Sequence, residues 1–339
     1  MSRFSDSIRI LRHLTVRRCV NLVMLRISYS WSRLSKQPLH LGKPFSLSIE
    51  PTTACNLGCP ECPSGLKQFT RPTGKLALDL HKKMLNDVAK NVFYINYYFQ
   101  GEPFLHPDFL QLIKQAKKQK IYTATSTNAH FINEQKAAEI VDSGLDRLII
   151  SIDGLTQVTY EQYRVNGKLE KVLEATSHLV TAKRERKSKT PYLIFQLLAV
   201  SANEHEIPQI HELGRTMGVD EVRIKTAQLY EFENGNPLMP KNEDYTRYRQ
   251  KADGTYTLKY KLGNHCWRMW SGSVLTWDGK VVPCCFDKDA QHVLGTVENQ
   301  SFDNIWESSS YKAFRSQVFT NRKSIDICTN CSEGATVWK

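Results

Sequence analysis

Short apolar strands alternate with amphipathic helices through the middle of the chain. Runs of alternating or continuous apolar residues predict six strands, at 45–50, 92–99, 120–127, 146–153, 192–200 and 219–227. Apolar residues at helical spacing predict five intervening helices, at 78–90, 107–119, 133–144, 168–184 and 206–218. Strands that alternate with helices in this way form a parallel sheet covered by helices. The pattern therefore predicts an α/β fold, either an open doubly wound sheet or part of a barrel.

A basic amphipathic helix is predicted ahead of this alternation. Apolar residues recur at helical spacing between Val16 and Leu34, and four arginines occupy the other faces: Arg17, Arg18, Arg26 and Arg33. Residues 1–43 hold nine basic residues and one acidic residue, and so carry most of the net charge of +12. Residues 1–36 are predicted either to contact an anionic membrane surface or to pack on the following domain with their arginines in water. The rest of the chain is nearly neutral, which argues against a nucleic-acid-binding domain.

The alternation stops near Tyr230, and a different pattern follows. Residues between the α/β region and the last cysteines are polar and rich in turn residues, which predicts a linker. Asp278-Gly279 then joins two short apolar runs, a pattern typical of a β-hairpin. The predicted organisation is an N-terminal helix region, an α/β core, a linker and a small C-terminal α+β domain, at 1–43, 44–230, 231–263 and 264–339. The apolar run after Arg18 is too short for a signal peptide or a membrane span, so we expect a cytoplasmic protein, either free or at the inner face of the membrane.

Three cysteines follow the first predicted strand within eight positions: Cys55, Cys59 and Cys62. Thiols this close in sequence are poor disulfide partners and good metal ligands, which also predicts a reducing compartment. Their number suits neither a disulfide framework nor a four-thiolate zinc site, but it suits a four-iron cluster with one iron left open. Polar residues follow the next three strands, at 100–103, 127–128 and 151–154. Because the carboxyl ends of parallel strands share one edge, these residues are predicted to form one site with the thiols.

The spacing Cys-x3-Cys-x2-Cys after a first strand resembles the hallmark of the radical S-adenosylmethionine (radical SAM) family. The resemblance implies a partial (β/α)6 TIM-like barrel in which Cys55, Cys59 and Cys62 hold a [4Fe-4S] cluster and SAM binds the open iron. In the family, an electron from the cluster cleaves SAM to methionine and a 5′-deoxyadenosyl radical, which abstracts a hydrogen atom from the substrate. A reductant such as flavodoxin or ferredoxin is the implied source of the electron.

Three further stretches resemble SAM-binding motifs of this family, and they contain six candidate residues: Gly101, Glu102, Pro103, Ser151, Asp153 and Arg164. The first three belong to a stretch like Gly-Gly-Glu-Pro, with Gln100 in the first position, that would hold the SAM amino group. The next two would contact the ribose. The arginine would pair with the SAM carboxylate, a task that suits its bidentate fork. Glu61 departs from the family, which often has an aromatic residue before the third cysteine.

Five more cysteines lie near the C-terminus: Cys266, Cys284, Cys285, Cys328 and Cys331. Their spacing around Gly279 resembles the SPASM/twitch extension of radical SAM enzymes, in a shorter form with one auxiliary [4Fe-4S] cluster. The resemblance implies Cys266, Cys284, Cys328 and Cys331 as ligands and leaves Cys285 spare. A zinc site with four thiolates is the alternative. Cys19 stands apart from both groups and is predicted to be a buried apolar thiol.

These resemblances imply an oxidoreductase whose auxiliary cluster takes an electron from the substrate radical. Dehydrogenation of a small-molecule or lipid-linked alcohol, such as a sugar or cyclitol, is the first expectation, and modification of a peptide is the second. Loss of a proton also requires a base, for which Asp287 is a candidate by location; the alternative is an acid that ends the hairpin. A zinc-stabilised binding protein without catalytic activity is a hypothesis of another class.

Overall fold

A computed structural model describes residues 3–332, with side chains from residue 6 onward. The helices are α1 (Arg3–Leu11), α2 (Val16–Ser35), α3 (Pro63–Leu66), α4 (Leu78–Val88), α5 (Phe109–Lys118), α6 (Glu134–Asp142), α7 (Gln157–Tyr163), α8 (Leu169–Glu185), α9 (Ile207–Met217), α10 (Arg268–Ser271), α11 (Phe302–Trp306), α12 (Ser309–Asn321) and α13 (Asp326–Thr329). The strands are β1 (Ser46–Ile49), β2 (Tyr94–Asn96), β3 (Tyr122–Thr127), β4 (Arg147–Ser151), β5 (Tyr192–Ala199), β6 (Glu221–Thr226), β7 (Tyr248–Gln250), β8 (Tyr256–Leu258), β9 (Gly272–Leu275), β10 (Lys280–Val282) and β11 (Gly295–Thr296).

Strands β1 to β6 form a parallel sheet in sequence order, which confirms the six predicted strands and the α/β fold. Side chains alternate between its two faces. Leu47 and Ile95 are buried in the core under the helices, whereas Ser48 and Asn96 face the barrel interior and line a cavity there. The architecture is a partial barrel whose strand ends meet at one edge, followed by a small C-terminal α+β unit.

Local sequence signals explain where several helices begin and end. The Asn133 side chain accepts a hydrogen bond from the Lys136 backbone amide at 2.8 Å and so caps the start of α6. Helix α9 ends at Gly218, whose φ of 75° is a conformation that glycine adopts without steric cost. These caps keep the helices short enough to return the chain to the next strand.

The predicted C-terminal hairpin forms between β9 and β10, with Gly279 at φ 81° in its turn. Strand β9 also pairs in parallel with β1, with Ser48 opposite Val274, so the hairpin extends the barrel sheet. Within residues 3–332 the resulting sheet has the strand order β11-β10-β9-β1-β2-β3-β4-β5-β6. The segment predicted as a linker contains the separate hairpin β7–β8. The C-terminal unit is therefore joined edge to edge with the barrel.

The N-terminal helices lie at the end of the barrel opposite the carboxyl edge. Asp6 of α1 is buried and ion-paired with Arg147, the first residue of β4. In α2, Arg18 is buried and donates to the Lys120 carbonyl, which lies just before β3, at 2.8 Å. Helix α2 confirms the helix predicted between Val16 and Leu34. Cys19 on this helix is exposed, so its predicted burial was wrong. Each helix described within residues 3–332 is either too short or too polar to span a lipid bilayer.

Candidate active site

The loop after β1 brings the first three thiols together at the carboxyl edge of the sheet. Cys59 is buried, while Cys55 and Cys62 are half-buried. The loop is fixed from two sides, because the Glu102 amide donates to the Ala54 carbonyl at 2.7 Å and the Gly58 amide donates to the Val165 carbonyl at 2.9 Å. Burial raises the pKa of Cys55 to about 11, and the neighbouring Cys59 and Cys62 add to the shift. The three thiols therefore share one electrostatic environment.

Gly101 and Glu102 lie directly against this loop. Gly101 has φ 75°, and a Cβ added there would stand 2.1 Å from the Thr52 carbonyl oxygen. The buried carboxylate of Glu102 accepts hydrogen bonds from the Thr127 hydroxyl and the Asn128 backbone N–H, both at 2.7 Å. Pro103 then starts a short 3-10 turn, at whose N-terminus Glu102 also accepts from the backbone. The motif after β2 is therefore tied to both the thiol loop and the end of β3.

The predicted residues on β4 and α7 meet in the same place. Ser151 ends β4 and is buried, and Asp153 follows it. One carboxylate oxygen of Asp153 accepts from the Leu198 amide at 2.6 Å, and the other is paired with Nε of Arg164 at 2.5 Å. Nη1 of Arg164 lies 3.6 Å from Sγ of Cys59. Gly101, Glu102 and Arg164 thus adjoin the thiol loop, Asp153 holds Arg164 there, and Pro103 and Ser151 lie within two residues of them in the chain.

The second set of thiols converges in the C-terminal unit. Cys266, Cys328 and Cys331 are buried and Cys284 is half-buried. Burial raises the pKa of Cys284, and Cys266 and Cys331 are close enough to raise it further. The fully buried Arg322 donates from Nη2 to Sγ of Cys331 at 3.1 Å. Three of the predicted auxiliary ligands, Cys266, Cys328 and Cys331, therefore lie near one buried guanidinium, and Cys284 lies near Cys266 and Cys331. Among the residues that the structure describes, no three His, Cys, Asp or Glu side chains are grouped so as to hold a single metal ion.

Comparisons with known proteins agree with this geometry. The sequence-family model of the radical SAM superfamily matches residues 49–198. The family model of SPASM, an iron–sulfur cluster-binding domain, matches residues 266–332. The chain is 26% identical over 317 residues to the tungsten-containing aldehyde ferredoxin oxidoreductase cofactor-modifying protein of Pyrococcus furiosus, covering 84% of this chain and 86% of the relative. The chain is a radical SAM enzyme with a SPASM domain. These two domains imply both a SAM-binding [4Fe-4S] cluster and auxiliary iron–sulfur binding in this radical SAM enzyme, which argues against the zinc alternative and the non-catalytic hypothesis.

Two further proteins resemble this radical SAM enzyme. It is 25% identical over 294 residues to the PqqA peptide cyclase of Bradyrhizobium diazoefficiens, covering 79% of this chain and 74% of the relative. Its fold is similar to that of Streptococcus suis SuiB bound to S-adenosylmethionine, with a TM-score of 0.64 and 14% identity over 91% of this chain and 76% of SuiB. The shared fold agrees with the partial barrel and its C-terminal unit.

The residues at the carboxyl edge fit the groups that the family binds. Three clustered thiols provide the donor set of a cluster with one open iron. Beside them, the buried hydroxyl of Tyr160 has no hydrogen-bond partner in the described part of the chain. Burial raises the pKa of Tyr160. The nearby Asp153 and Cys59 raise it further and Arg164 lowers it, so the hydroxyl belongs to the same site. A polar ligand would satisfy it, since buried hydroxyl groups normally have a partner. Sequence reasoning missed Tyr160 because a tyrosine in an amphipathic helix is typical of a core residue.

A cluster of cations, which sequence reasoning also missed, lies between the two thiol sets. The cationic cluster consists of Lys225, Arg268 and Lys288. Burial, together with Arg247, Arg268 and Lys288, lowers the pKa of Lys225 to about 8, against the effect of Cys285. Nη1 of Arg268 lies 3.7 Å from Sγ of Cys285, beside a cavity of about 240 Å³. Nζ of Lys288, three residues after Cys285, donates to the Tyr230 hydroxyl at 2.6 Å, and the Tyr230 backbone amide donates to Glu61, next to Cys62, at 2.9 Å. Lys288 therefore stands between the two sets.

The structure gives Asp287 a different environment from that of an exposed base. The residue is buried, and its two carboxylate oxygens accept from the backbone amides of Gln291 and His292, at 2.7 and 2.9 Å. Burial raises the pKa of Asp287, against these hydrogen bonds. Its predicted role as the base stays a prediction, while the geometry favours the alternative of an acid that stabilises the loop after β10.

Replacement of Gly101 by alanine tests the packing of the SAM-binding motif. The added Cβ would force the motif or the Thr52 carbonyl to move, and displacements of this size lower rates by about 100-fold. We expect Gly101→Ala to lower 5′-deoxyadenosine formation by that factor. Gly254→Ala is the matched control, because Gly254 has φ 84° with no atom within 4 Å of an added Cβ. Equal rates in the two variants would contradict the role of this contact.

Proposed function

We propose that this radical SAM enzyme oxidatively modifies a peptide that binds between the thiol loop and the SPASM unit. The observation that carries the proposal is the position of Lys288. Lys288 follows Cys285 by three residues, and its ammonium donates to Tyr230, whose backbone amide donates to Glu61 beside Cys62. A substrate held at this point would contact both redox sites. The cationic cluster favours a peptide segment that carries negative charge.

The proposed cofactor ligands follow the two thiol sets. Cys55, Cys59 and Cys62 would hold the SAM-binding cluster, and Cys266, Cys284, Cys328 and Cys331 would hold an auxiliary one. When bound, the first cluster and SAM supply hydrogen-atom abstraction, and the auxiliary cluster supplies a place for the electron that leaves the substrate. The reductant would be a protein such as flavodoxin or ferredoxin.

The chain's own residues would orient SAM and the substrate. Glu102 is fixed by Thr127 and Asn128, so its motif would present backbone and carboxylate groups to the SAM amino group in one geometry. Arg164 is held by Asp153 and would direct the rest of its fork toward the SAM carboxylate, while Asp153 and Ser151 would lie near the ribose. Orientation of this kind before reaction lowers the entropic cost of bringing the reacting atoms together.

Peptide modification is supported by the relatives. The PqqA peptide cyclase acts on a peptide by its name, and SuiB has also been solved with its precursor peptide SuiA. Dehydrogenation of a sugar, cyclitol or lipid-linked alcohol is the second candidate. It is favoured by the single cysteine quartet of the C-terminal unit, which resembles the shorter form of the extension, with Cys285 left over.

A deuterium-transfer experiment distinguishes these substrates. Source cells are grown in deuterated medium, and their extract is separated into peptides, small polar molecules and lipids. Each fraction is incubated anaerobically with reconstituted enzyme, SAM and dithionite, and the deuterium in 5′-deoxyadenosine is measured by mass spectrometry. We expect label from the peptide fraction and its loss after exhaustive protease digestion. Label from small molecules or lipids alone would favour the second candidate, and no label from any fraction would contradict hydrogen abstraction.

A further inference from the structure

Helix α2 is docked on the protein mainly through polar residues, although Leu25 and Tyr29 are buried on the same face. Arg18 donates to the carbonyls of Lys120 and Ala89, at 2.8 and 2.7 Å. Asn21 exchanges two hydrogen bonds with the backbone of Lys43, at 2.7 and 2.8 Å. Ser32, near the C-terminal end of the helix, is buried and bonded to the Leu39 backbone. A surface helix ordinarily docks with its apolar stripe, whereas four of the six buried residues of α2 are polar, so this arrangement is inverted.

The inversion leaves the apolar stripe of α2 facing away from the protein. Six large apolar side chains are exposed by 83%, 54%, 56%, 61%, 57% and 84% of their surface, in the order Val16, Val20, Val23, Ile27, Trp31 and Leu34. At about 100° per residue they lie on one face, opposite the buried residues. The stripe runs the length of a 20-residue helix, or about 30 Å. A continuous exposed stripe of this length is typical of a surface that contacts something else.

Basic residues border the stripe on both sides. Arg17 lies at one border, and Arg26 and Arg33 lie at the other; all three are exposed. Asp6 is the single acidic residue before Glu50 in the sequence, and it is buried against Arg147. The stripe is therefore bordered by positive charge without an acidic side chain from its own region to offset it.

We propose that α2 is a docking surface for an anionic phospholipid membrane, on which the helix lies with its apolar stripe among the lipid headgroups and acyl chains. Apolar side chains on one face with arginines at the borders match the depth profile of such an interface. A second copy of the chain fits less well, since two stripes placed face to face would oppose their arginines. The proposal does not rest on the reaction or on either cluster.

Vesicle sedimentation with the reconstituted full chain tests the proposal. The probes are vesicles of phosphatidylcholine alone and of phosphatidylcholine mixed with phosphatidylglycerol. We expect stronger binding to the mixed vesicles, and weaker binding at high salt. Val20→Gln/Ile27→Gln should weaken binding by more than about tenfold. Arg26→Gln/Arg33→Gln should weaken it by about fivefold per arginine, or about 25-fold in total.

Matched control variants distinguish binding through α2 from nonspecific binding to vesicles. Val158→Gln/Val293→Gln removes two apolar side chains that are exposed elsewhere, and Lys82→Gln/Arg215→Gln removes two exposed cations elsewhere. Both should bind vesicles as the wild type does. Iron content verifies that each variant is folded.

Three results would overturn the proposal. The first is no binding of the wild type to either vesicle, and the second is equal binding by the α2 variants and their controls. The third is self-association in size-exclusion chromatography that depends on Val20 and Ile27 without vesicle binding, which would assign the stripe to a second copy. Deuterium transfer to 5′-deoxyadenosine is measured without vesicles, so failure here leaves the proposed function standing, and the reverse also holds.

Discussion

A variant with Cys55, Cys59 and Cys62 all replaced by alanine is expected to bind about four irons per chain after anaerobic reconstitution, where the wild type binds about eight. The physical reason is that the two thiol sets lie in separate parts of the fold, one in the loop after β1 and the other in the C-terminal unit. Removing the first set leaves the ligands of the second intact. Because SAM would bind at the first set, the same variant should form no 5′-deoxyadenosine. Iron analysis and product quantification on the same preparation measure both effects.

Single replacements elsewhere serve as controls for this variant. Cys19 is exposed on α2, far from both sets in the sequence, so Cys19→Ala should retain about eight irons. Cys285→Ala should retain them as well if Cys284 is the ligand, whereas Cys284→Ala should not. A wild type with about four irons, falling to none in the triple variant, would mean that the C-terminal quartet holds no cluster. The proposed electron acceptor would then be missing.

The parts of the site that the sequence predicts are those encoded locally. The thiol loop, the stretch at Gly101–Pro103 and the residues that end β4 each follow a strand directly, and parallel strands must deliver their ends to one edge. The alternation of strands and helices therefore places these segments together without knowledge of any contact. The predicted helix boundaries are close for the same reason, since caps such as Asn133 act within a few residues.

The parts that the sequence does not predict depend on contacts between distant segments. Arg322 reaches Cys331 because α12 folds back on the quartet, and an arginine in a basic stretch carries no sign of burial. The parallel pairing of β9 with β1 joins residues more than 200 positions apart. Helical periodicity identifies the two faces of α2, but the choice of the docked face depends on carbonyls and side chains of other elements. The sequence alone therefore could not decide whether the N-terminal helix contacts a membrane or packs on the following domain.

Loss of Arg71 is expected to destabilise the enzyme strongly, because it leaves a buried charge unpaired. Glu50, directly after β1, is fully buried and forms two hydrogen bonds with the Arg71 guanidinium, at 2.8 and 2.5 Å. The same carboxylate accepts from the Trp277 amide in the turn of the C-terminal hairpin, at 3.2 Å. We expect Arg71→Met to lower the free energy of unfolding by about 3–5 kcal/mol, as for other broken buried pairs. The urea midpoint of the reconstituted protein measures this change.

The pH dependence of the variant distinguishes an unpaired charge from lost packing. Burial raises the pKa of Glu50, and the hydrogen bonds and charge of Arg71 partly lower it. Without the arginine, the pKa of Glu50 therefore rises further. A folded state that holds a proton more tightly than the unfolded chain loses stability as pH rises, so Arg71→Met should be less affected near about pH 5 than near about pH 8. Glu50→Gln/Arg71→Met should recover part of the loss. Arg186→Met, which breaks a more exposed pair with Asp142, should cost less than about 1 kcal/mol. If Arg71→Met were as mild as this control, or were unchanged across the pH range, Glu50 would not depend on Arg71 for its charge.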